Sequence, residues 1–193
     1  MTTLTKEDII TLPHVSLRKR SDRVHVITDE TLDLIDNMTT ACLDWETAHP
    51  HEVAVALAAV QVDRLERVVI VRADFDDKQN KEFIALINPE IIKTEGTPTV
   101  IQPEGCLSVR NLYGDVPRYP HVRVKATDIN GQEVRIRASG FLSMLFQHEI
   151  DHTKGICFVD HIKDKKDAFY TLTDRGELEP MDYADVEATG IFR

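Results

Sequence analysis

The sequence predicts an α+β fold, in which mostly antiparallel strands pack around a buried helix that comes late in the chain. Two of the predicted strands flank Asn130-Gly131, a dipeptide typical of the tight turn of a β-hairpin. The helix follows this hairpin, and its apolar residues recur every three or four positions, as on a face that packs against a core. The predicted strands, in chain order, are 67–72, 83–87, 122–127 and 133–137.

Before the strands, the sequence predicts one long helix from Thr28 to about Ala48. Thr28 is a favourable N-cap, and acidic residues follow it in the first turn, where the helix dipole favours negative charge. Pro50 is predicted to end the helix. Its buried face is expected to consist of Leu32, Ile35, Met38, Cys42 and Trp45.

The remaining segments are predicted to be irregular. Residues 1–26 form a lead-in whose basic run, Arg18-Lys19-Arg20, is expected on the solvated surface. Asn88-Pro89 is expected to end the second strand, because proline cannot donate to a sheet ladder. Residues 174–193 form a C-terminal tail rich in acidic side chains.

Length and composition predict a single domain over residues 1–193, with no membrane span and a cytoplasmic location. Of these 193 residues, 42% are hydrophobic and 29% are charged, which is ordinary for a globular protein. The three cysteines are odd in number and are expected to be reduced. A net charge of −10 argues against nucleic-acid binding through a basic patch.

The late helix carries a His-Glu-x-x-His motif at His148–His152. Two histidines four positions apart lie on the same side of a helix, so both imidazoles can reach one metal ion, while Glu149 can reach a water beside it. This is the pattern of a metal-dependent hydrolase. The alternative is a surface helix with two solvated histidines. Because the motif continues the apolar face that begins at Phe141, we expect the histidines to point inward.

A catalytic metal of this kind requires a third protein ligand, and the residues alone leave three candidates open. Asp160 and His161 follow the motif closely, and Cys106 lies far upstream in a Gly-Cys-Leu-Ser context. On composition alone, Cys106 would more often be a buried apolar residue than a ligand.

Three short segments resemble the defining motifs of the peptide deformylases, hydrolases that remove the formyl group from the N-terminal methionine of new polypeptides. Glu104–Ser108 reads Glu-Gly-Cys-Leu-Ser, and Gln147–His152 reads Gln-His-Glu-Ile-Asp-His with Gly155 after it. Ala54–Gln61 is similar to the first motif, which normally reads Gly-x-Gly-x-Ala-Ala-x-Gln. The resemblance covers roughly residues 10–165 and implies a peptide deformylase-like fold.

The resemblance implies a role for each matching residue. The metal ligands would be Cys106, His148 and His152, holding one divalent ion per chain. Fe(II) is the expected native metal, and Zn, Ni or Co would also fit the site. Glu149 would act as the proton-transfer group, and Gln61 with the backbone N–H of Leu107 would stabilise the oxyanion. The expected substrate-binding residues are Val55, Ala56, Glu104, Gly105, Phe141, Met144 and Leu145, although the last three would be equally consistent with a plain core face.

The chain departs from the family pattern where the substrate approaches. Ala54 and Ala56 stand where the first motif has glycines, and Tyr113 replaces a residue that is often basic. Each methyl is acceptable if its φ remains negative, but it would narrow the cleft beside the formyl group. The tail departs as well, because its acidic residues would be repelled by ribosomal RNA, so docking on the ribosome through the tail is not expected.

Three functions are therefore compared. The first is a metal-dependent peptide deformylase that releases formate from formylmethionyl peptides. The second is a deformylase-like metal protein with weak or altered activity, serving as a binding or regulatory module or acting on a different formylated substrate. The third is an unrelated metalloprotease with a carboxylate as its third ligand, in which Cys106 would be dispensable for metal binding.

Overall fold

The computed structural model describes residues 3–49, 52–77, 79–173 and 175–192. Pro50, Asp174 and Arg193 lie outside these ranges, so the predicted helix end at Pro50 and the two ends of the acidic tail fall there too. The helices are α1 (Asp29–Ala48), α2 (Gly140–His152) and α3 (Tyr183–Ala188). The strands are β1 (Ala56–Ala58), β2 (Val68–Arg72), β3 (Phe83–Glu95), β4 (Thr99–Val100), β5 (Glu104–Cys106), β6 (Val109–Gly114), β7 (Pro117–Arg118), β8 (His121–Thr127), β9 (Glu133–Ser139), β10 (Phe169–Leu172) and β11 (Leu178–Pro180).

Helix α1 begins as predicted, with the Thr28 side chain accepting a hydrogen bond from the backbone N–H of Thr31. Its buried face includes Ile35 and Met38, but Leu32 is exposed and Leu34 is buried in its place. At 100° per residue, Leu34 lies about 45° from the centre of the buried face, whereas Leu32 lies more than about 100° from it. The prediction for Leu32 was wrong because a three-residue spacing drifts around the helix.

A five-stranded antiparallel sheet, in the order β1-β2-β3-β8-β9, separates the two long helices. Alternate residues of β2 belong to different cores: Val68 and Ile70 pack with α1, and Val69 and Val71 pack with α2. All five residues of β2 are buried, as expected for a strand that is covered on both faces. The predicted hairpin is present, with β8 and β9 paired from His121–Ser139 to Thr127–Glu133 around Gly131.

Strand β3 does not end at Asn88-Pro89, contrary to the prediction from sequence. It continues to Glu95 through a β-bulge, and Asn88 has a positive φ of 53°. The Asn88 side chain replaces the interrupted ladder, because it donates to the carbonyl of Val24 (2.8 Å) and accepts from the N–H of Val24 (2.9 Å). An asparagine that tolerates this backbone conformation therefore carries the strand past the proline.

A second sheet, in the order β11-β10-β6-β5, holds the strand that carries Cys106. The C-terminal segment packs on this sheet through buried Val186 and Ile191. The side chain of Arg18 also packs against this sheet, where it forms an ion pair with Asp160 and donates to the carbonyl of Ile191. The prediction that Arg18 is solvated was therefore wrong. In the parts of the chain that the structure describes, no helix has the length and apolar character needed to cross a membrane.

Candidate metal centre and cleft

Helix α2 is held in a fixed orientation by the side chain of Gln147. Its amide oxygen accepts from the N–H of Tyr119 (3.0 Å), and its amide nitrogen donates to the carbonyl of Tyr119 (2.9 Å). Every residue of α2 from Ser143 to His152 is buried. The two histidines therefore point inward, as the apolar face predicted, and the alternative of a solvated surface helix is wrong.

The end of α2 explains why the motif continues to Gly155. This residue has a positive φ of 76°, and a Cβ atom there would lie 2.6 Å from the carbonyl oxygen of Arg18. A side chain would be excluded both by the backbone conformation and by the neighbouring segment. The close approach lets the N-terminal segment pass directly over the end of the histidine helix.

Three side chains bring their donor atoms to one point below the cleft. Sγ of Cys106 lies 3.3 Å from Nε2 of His152, which lies 3.2 Å from Nε2 of His148. Among the described residues, these three form the group that could hold a metal ion, with donor atoms all within 4.8 Å of one another. Asp160 instead pairs with Arg18, and His161 pairs with Asp151, so neither alternative ligand faces the two histidines.

The donor set fits a divalent ion of the late first-row metals. One thiol and two imidazoles supply three ligands and leave an open position, which is the arrangement of catalytic rather than structural sites. Nδ1 of His148 lies 2.8 Å from Oε2 of Glu104, so its other nitrogen is turned toward the cluster. Burial lowers the pKa of His152 well below its usual value, whereas Cys106 and Glu104 outweigh burial and raise the pKa of His148 well above it.

A buried network extends from Glu104 to the protein surface. Arg118 binds both oxygens of Glu104, at 2.7 and 3.1 Å, and also donates to Asp151 at 2.6 Å. The same oxygen of Asp151 lies 2.8 Å from Nε2 of His161, whose side chain is 37% exposed. The sequence suggested only the Glu104–Arg118 pair. Asp151 lies inside the His-Glu-x-x-His motif, and it was the one residue in the sequence that could have indicated the rest of this network.

Glu149 lies one position past the first histidine and is buried at the base of the cleft, with 4% of its surface exposed. Burial raises the pKa of its carboxyl group to about 7, with the charge of His148 acting in the opposite direction. Its Oε2 has no hydrogen-bond partner in the described part of the chain. A buried carboxyl group with a free oxygen beside an open ligand position is suited to accept and return a proton near neutral pH.

Gln61 and Leu107 both adjoin Cys106. The amide oxygen of Gln61 accepts from the N–H of Ala58 (2.8 Å), which directs its NH₂ group toward Ser108 Oγ (3.1 Å) and Cys106 Sγ (3.5 Å). Leu107 follows Cys106 directly and lines the cleft. The structure thus places an amide donor and a backbone segment next to the candidate ligand.

The cleft above the metal centre has a volume of about 600 Å³, within the range of small-molecule sites. Six of the seven predicted substrate-binding residues line it with accessible groups: Val55, Ala56, Gly105, Phe141, Met144 and Leu145. Glu104 also borders the cleft, but its carboxylate is 1% exposed and is committed to Arg118 and His148. Its side chain therefore orients a ligand and is not available to substrate.

The two alanines of the first motif have different surroundings. Ala56 lines the cleft, whereas Ala54 is 1% exposed and packs in the core beside α1. Neither has a positive φ. Only the methyl of Ala56 therefore narrows the cleft, so the expectation that both methyls do so was wrong for Ala54.

Tyr113 covers the cleft on the side of Gly105. Its ring lies so close that a Cβ atom on Gly105 would be 2.5 Å from the ring carbon Cε1. Its hydroxyl donates to Oε2 of Glu52 at 2.6 Å, which joins β6 to the segment before β1. The residue that departs from the family pattern thus forms a bridge at the mouth of the cleft.

Known proteins resemble the chain over most of its length. The sequence model of the family described as polypeptide deformylase matches residues 6–168. A peptide deformylase of Thermomicrobium roseum is 38% identical over 165 residues, covering 84% of this chain and 89% of that protein. One from Halothermothrix orenii is 47% identical over 146 residues, covering 76% and 86%.

Solved structures resemble the fold to a similar extent. A peptide deformylase of Legionella pneumophila has a TM-score of 0.69 with 36% identity, covering 79% of this chain and 83% of that one. The Synechococcus elongatus peptide deformylase in complex with actinonin has a TM-score of 0.70 with 31% identity, covering 86% and 89%.

Proposed function

Because the chain belongs to the peptide deformylase family, we propose that it hydrolyses the N-terminal formamide of formylmethionyl peptides, and that Cys106, His148 and His152 hold its metal. The reaction adds water across the formyl C–N bond and yields formate and a free amine. The observation that supports these assignments is the convergence of the three donor atoms beside buried Glu149 at the base of the cleft. Membership of this family also sets aside the unrelated metalloprotease.

The proposed metal is one divalent ion per chain, with Fe(II) as the native ion and Zn, Ni or Co as substitutes. A soft thiolate together with two imidazoles favours this group of metals over Mg or Ca. When bound, such an ion supplies Lewis acidity to water and to the formyl oxygen. Fe(II) held by a thiolate is sensitive to oxidation, so purification in air would favour another metal.

Glu149 is the proposed proton-transfer residue. It takes a proton from the attacking water and later delivers one to the nitrogen of the departing amine. Its unpartnered oxygen and its pKa of about 7 support both halves of this exchange at neutral pH.

Gln61 and the backbone N–H of Leu107 are proposed to stabilise the negative charge that develops on the formyl oxygen. Gln61 is oriented by the N–H of Ala58, and its NH₂ group, which donates to Ser108 Oγ and Cys106 Sγ, would turn one N–H from these partners to the formyl oxygen. Loss of one such donor typically costs about 3–4 kcal/mol in the transition state. Gln61→Ala is therefore a second test of the site, and it should lower the rate of formate release by about 10²- to 10³-fold.

The substrate is proposed to lie between β1 and β5, with its methionine side chain against Phe141, Met144 and Leu145. These residues form an apolar wall one and two helical turns before the ligands, and Leu145 also packs into the core. Val55 and Ala56 border the cleft at the edge strand β1, where an extended peptide can add as a further strand.

The protein is proposed to act in the cytoplasm, where its three free cysteines remain reduced. Docking on the ribosome through the C-terminal segment is not part of the proposal, since that segment carries acidic side chains. A deformylase-like metal protein with weak or altered activity is the second candidate. Its support came from Ala54 and Ala56, and of these only Ala56 lines the cleft.

The test is formate release from a short formylmethionyl peptide, using protein purified without oxygen and reloaded with Fe(II). Glu149→Gln should lower the rate by about 10²- to 10⁴-fold while the bound metal remains stoichiometric. Glu187→Gln, a matched change at an exposed glutamate of α3, should leave the rate unchanged. Cys106→Ala should lose the metal. Full activity in Glu149→Gln, or no turnover by the metal-loaded wild type, would refute the proposal.

A further inference from the structure

A second hollow, of about 410 Å³, lies near the C-terminal end of α2. Its walls come from the N-terminal segment, the residue before β2, the bulge of β3 and the end of α2. The lining residues are Arg20, Arg23, Arg67, Pro89, Glu90, Ile91, Ile150, Thr153 and Lys154, and none of them lines the cleft. The hollow is therefore separate from the proposed active site.

The hollow is strongly basic, although the whole chain carries a net charge of −10. Its lining has four cations, Arg20, Arg23, Arg67 and Lys154, against the single carboxylate of Glu90, which leaves a local charge of four minus one, or +3. Lys154 has a long contact with Asp151 at 3.4 Å. Across the described residues, none of the three arginines has a carboxylate oxygen within 4.0 Å, so their charge is not neutralised locally.

Arg67 is the fixed member of this basic group. Its Nη2 donates to the carbonyl of Ser21 at 3.1 Å, which holds the guanidinium in place. Its Nε is buried and has no hydrogen-bond partner within the described chain. Burial lowers the pKa of Arg67 and the charges of Arg20 and Arg23 lower it further, while the carboxylates of Glu90 and Asp22 act in the opposite direction. A buried N–H donor without an acceptor, near other positive charges, destabilises the fold unless an anion accepts its hydrogen bond.

We propose that this hollow binds a phosphate group, either as free phosphate or on a small phosphorylated molecule. Guanidinium groups present paired N–H donors that match phosphate oxygens, and a dianion offsets a local charge of +3 better than a carboxylate does. Arg67 supplies a preoriented donor at the wall, and exposed Arg20 and Arg23 close on the ligand from the rim. Ile91 and Ile150 leave an apolar wall for an attached organic group.

The test is calorimetric titration of the metal-loaded protein with inorganic phosphate, at an ionic strength held constant with chloride. The double variant R20A/R23A removes two exposed cations, and R137A/R175A removes two exposed arginines elsewhere. We expect R20A/R23A to bind phosphate at least roughly tenfold more weakly, a loss of about 1.4 kcal/mol. R137A/R175A should bind as the wild type does, and both variants should release formate at the wild-type rate.

Three outcomes would overturn the proposal. If R20A/R23A and the wild type bind phosphate equally, the phosphate is bound at the metal centre or by nonspecific electrostatic attraction and not in the hollow. Absence of binding to the wild type would leave the hollow without a phosphate ligand. A single-stranded RNA oligonucleotide that binds through Arg20 and Arg23, where inorganic phosphate and ribose 5-phosphate do not, would assign the hollow to nucleic acid and contradict a small ligand.

Discussion

Nδ1 of His148 lies 2.8 Å from Oε2 of Glu104, and Glu104 is in turn bound through both its oxygens by Arg118. The orientation of a proposed metal ligand therefore depends on a carboxylate that substrate does not reach. Partners of this kind raise the basicity of a ligating imidazole and fix which nitrogen faces the metal. Glu104 and Arg118 therefore belong to the proposed metal centre, although neither is a proposed ligand.

Glu104→Gln should weaken metal binding by about 10- to 100-fold, because a neutral amide no longer draws the Nδ1 proton of His148. The measurement is competition with a chelator of known affinity, accompanied by a thermal melt that reports folding. Glu133→Gln, at an exposed ion pair of the β8–β9 hairpin, is the matched control and should bind metal normally. Wild-type metal affinity in a folded Glu104→Gln protein would contradict this role.

Ala56→Gly should raise kcat/KM for formyl peptides by about tenfold, since removal of one methyl widens the cleft beside the formyl group. Ala54→Gly is the internal control, because its methyl packs in the core beside α1. That variant should keep the wild-type kcat/KM and lose about 0.5–1 kcal/mol of stability. The same gain from both variants would show that the cleft methyl is not the relevant difference.

Tyr113→Phe removes the 2.6 Å hydrogen bond to Glu52 but leaves the ring over Gly105. We expect a stability loss of about 1 kcal/mol. KM should rise while kcat remains unchanged, since the bridge shapes the mouth of the cleft and does not touch the reacting atoms. Tyr170→Phe loses a comparable bond, 2.8 Å to Asp115, away from the cleft. An equal rise in KM for both variants would assign the effect to general loosening of the fold.

The ion pair between Glu46 and Arg72 should make the stability of the fold sensitive to acid. Burial alone would raise the pKa of Glu46, but Lys81 and Arg72 outweigh it and hold the pKa below its usual value. A depressed folded-state pKa stabilises the fold above the unfolded pKa of about 4.3. This stabilisation is lost as the pH falls through the folded-state pKa.

Glu46→Gln should therefore destabilise the protein by about 3–5 kcal/mol near neutral pH, because it leaves Arg72 buried without a counter-charge. The difference from wild type should start to shrink as the pH falls below the unfolded pKa of about 4.3, and it should vanish as the pH falls through the lower folded-state pKa of Glu46. Denaturant unfolding at several pH values measures both effects. Glu95→Gln, at an exposed pair with Arg123, should change little at any pH. A difference that grows toward acid would contradict the sign of this linkage.

The two candidate ligands on α2 could be predicted from their spacing, because two histidines on the apolar face of a helix have few other ways to be satisfied. Cys106 could not, since its pairing with residues far along the chain depends on how two sheets fold together. Only the resemblance of its local motif selected it over Asp160 and His161. The contact between Asp151 and His161 could not be predicted either, because it too depends on how the chain folds in three dimensions.

Two errors in the predicted fold come from contacts between residues that are far apart in the sequence. Asn88 keeps β3 continuous because its side chain bonds to Val24, a contact that no local pattern reveals. Arg18 was expected in solvent because basic runs are usually solvated, yet its guanidinium is taken up by Asp160 and the carbonyl of Ile191. In each case a distant partner decided the outcome.

The bond from Arg18 to Ile191 joins residues 173 positions apart. During synthesis at about 5–20 residues per second, the early segment would wait roughly 10–35 seconds before that partner is made. Until then, Arg18 and the residues around it cannot make their final packing contacts with the second sheet. One of the last residues to be synthesised, Ile191, therefore binds and fixes one of the first, Arg18.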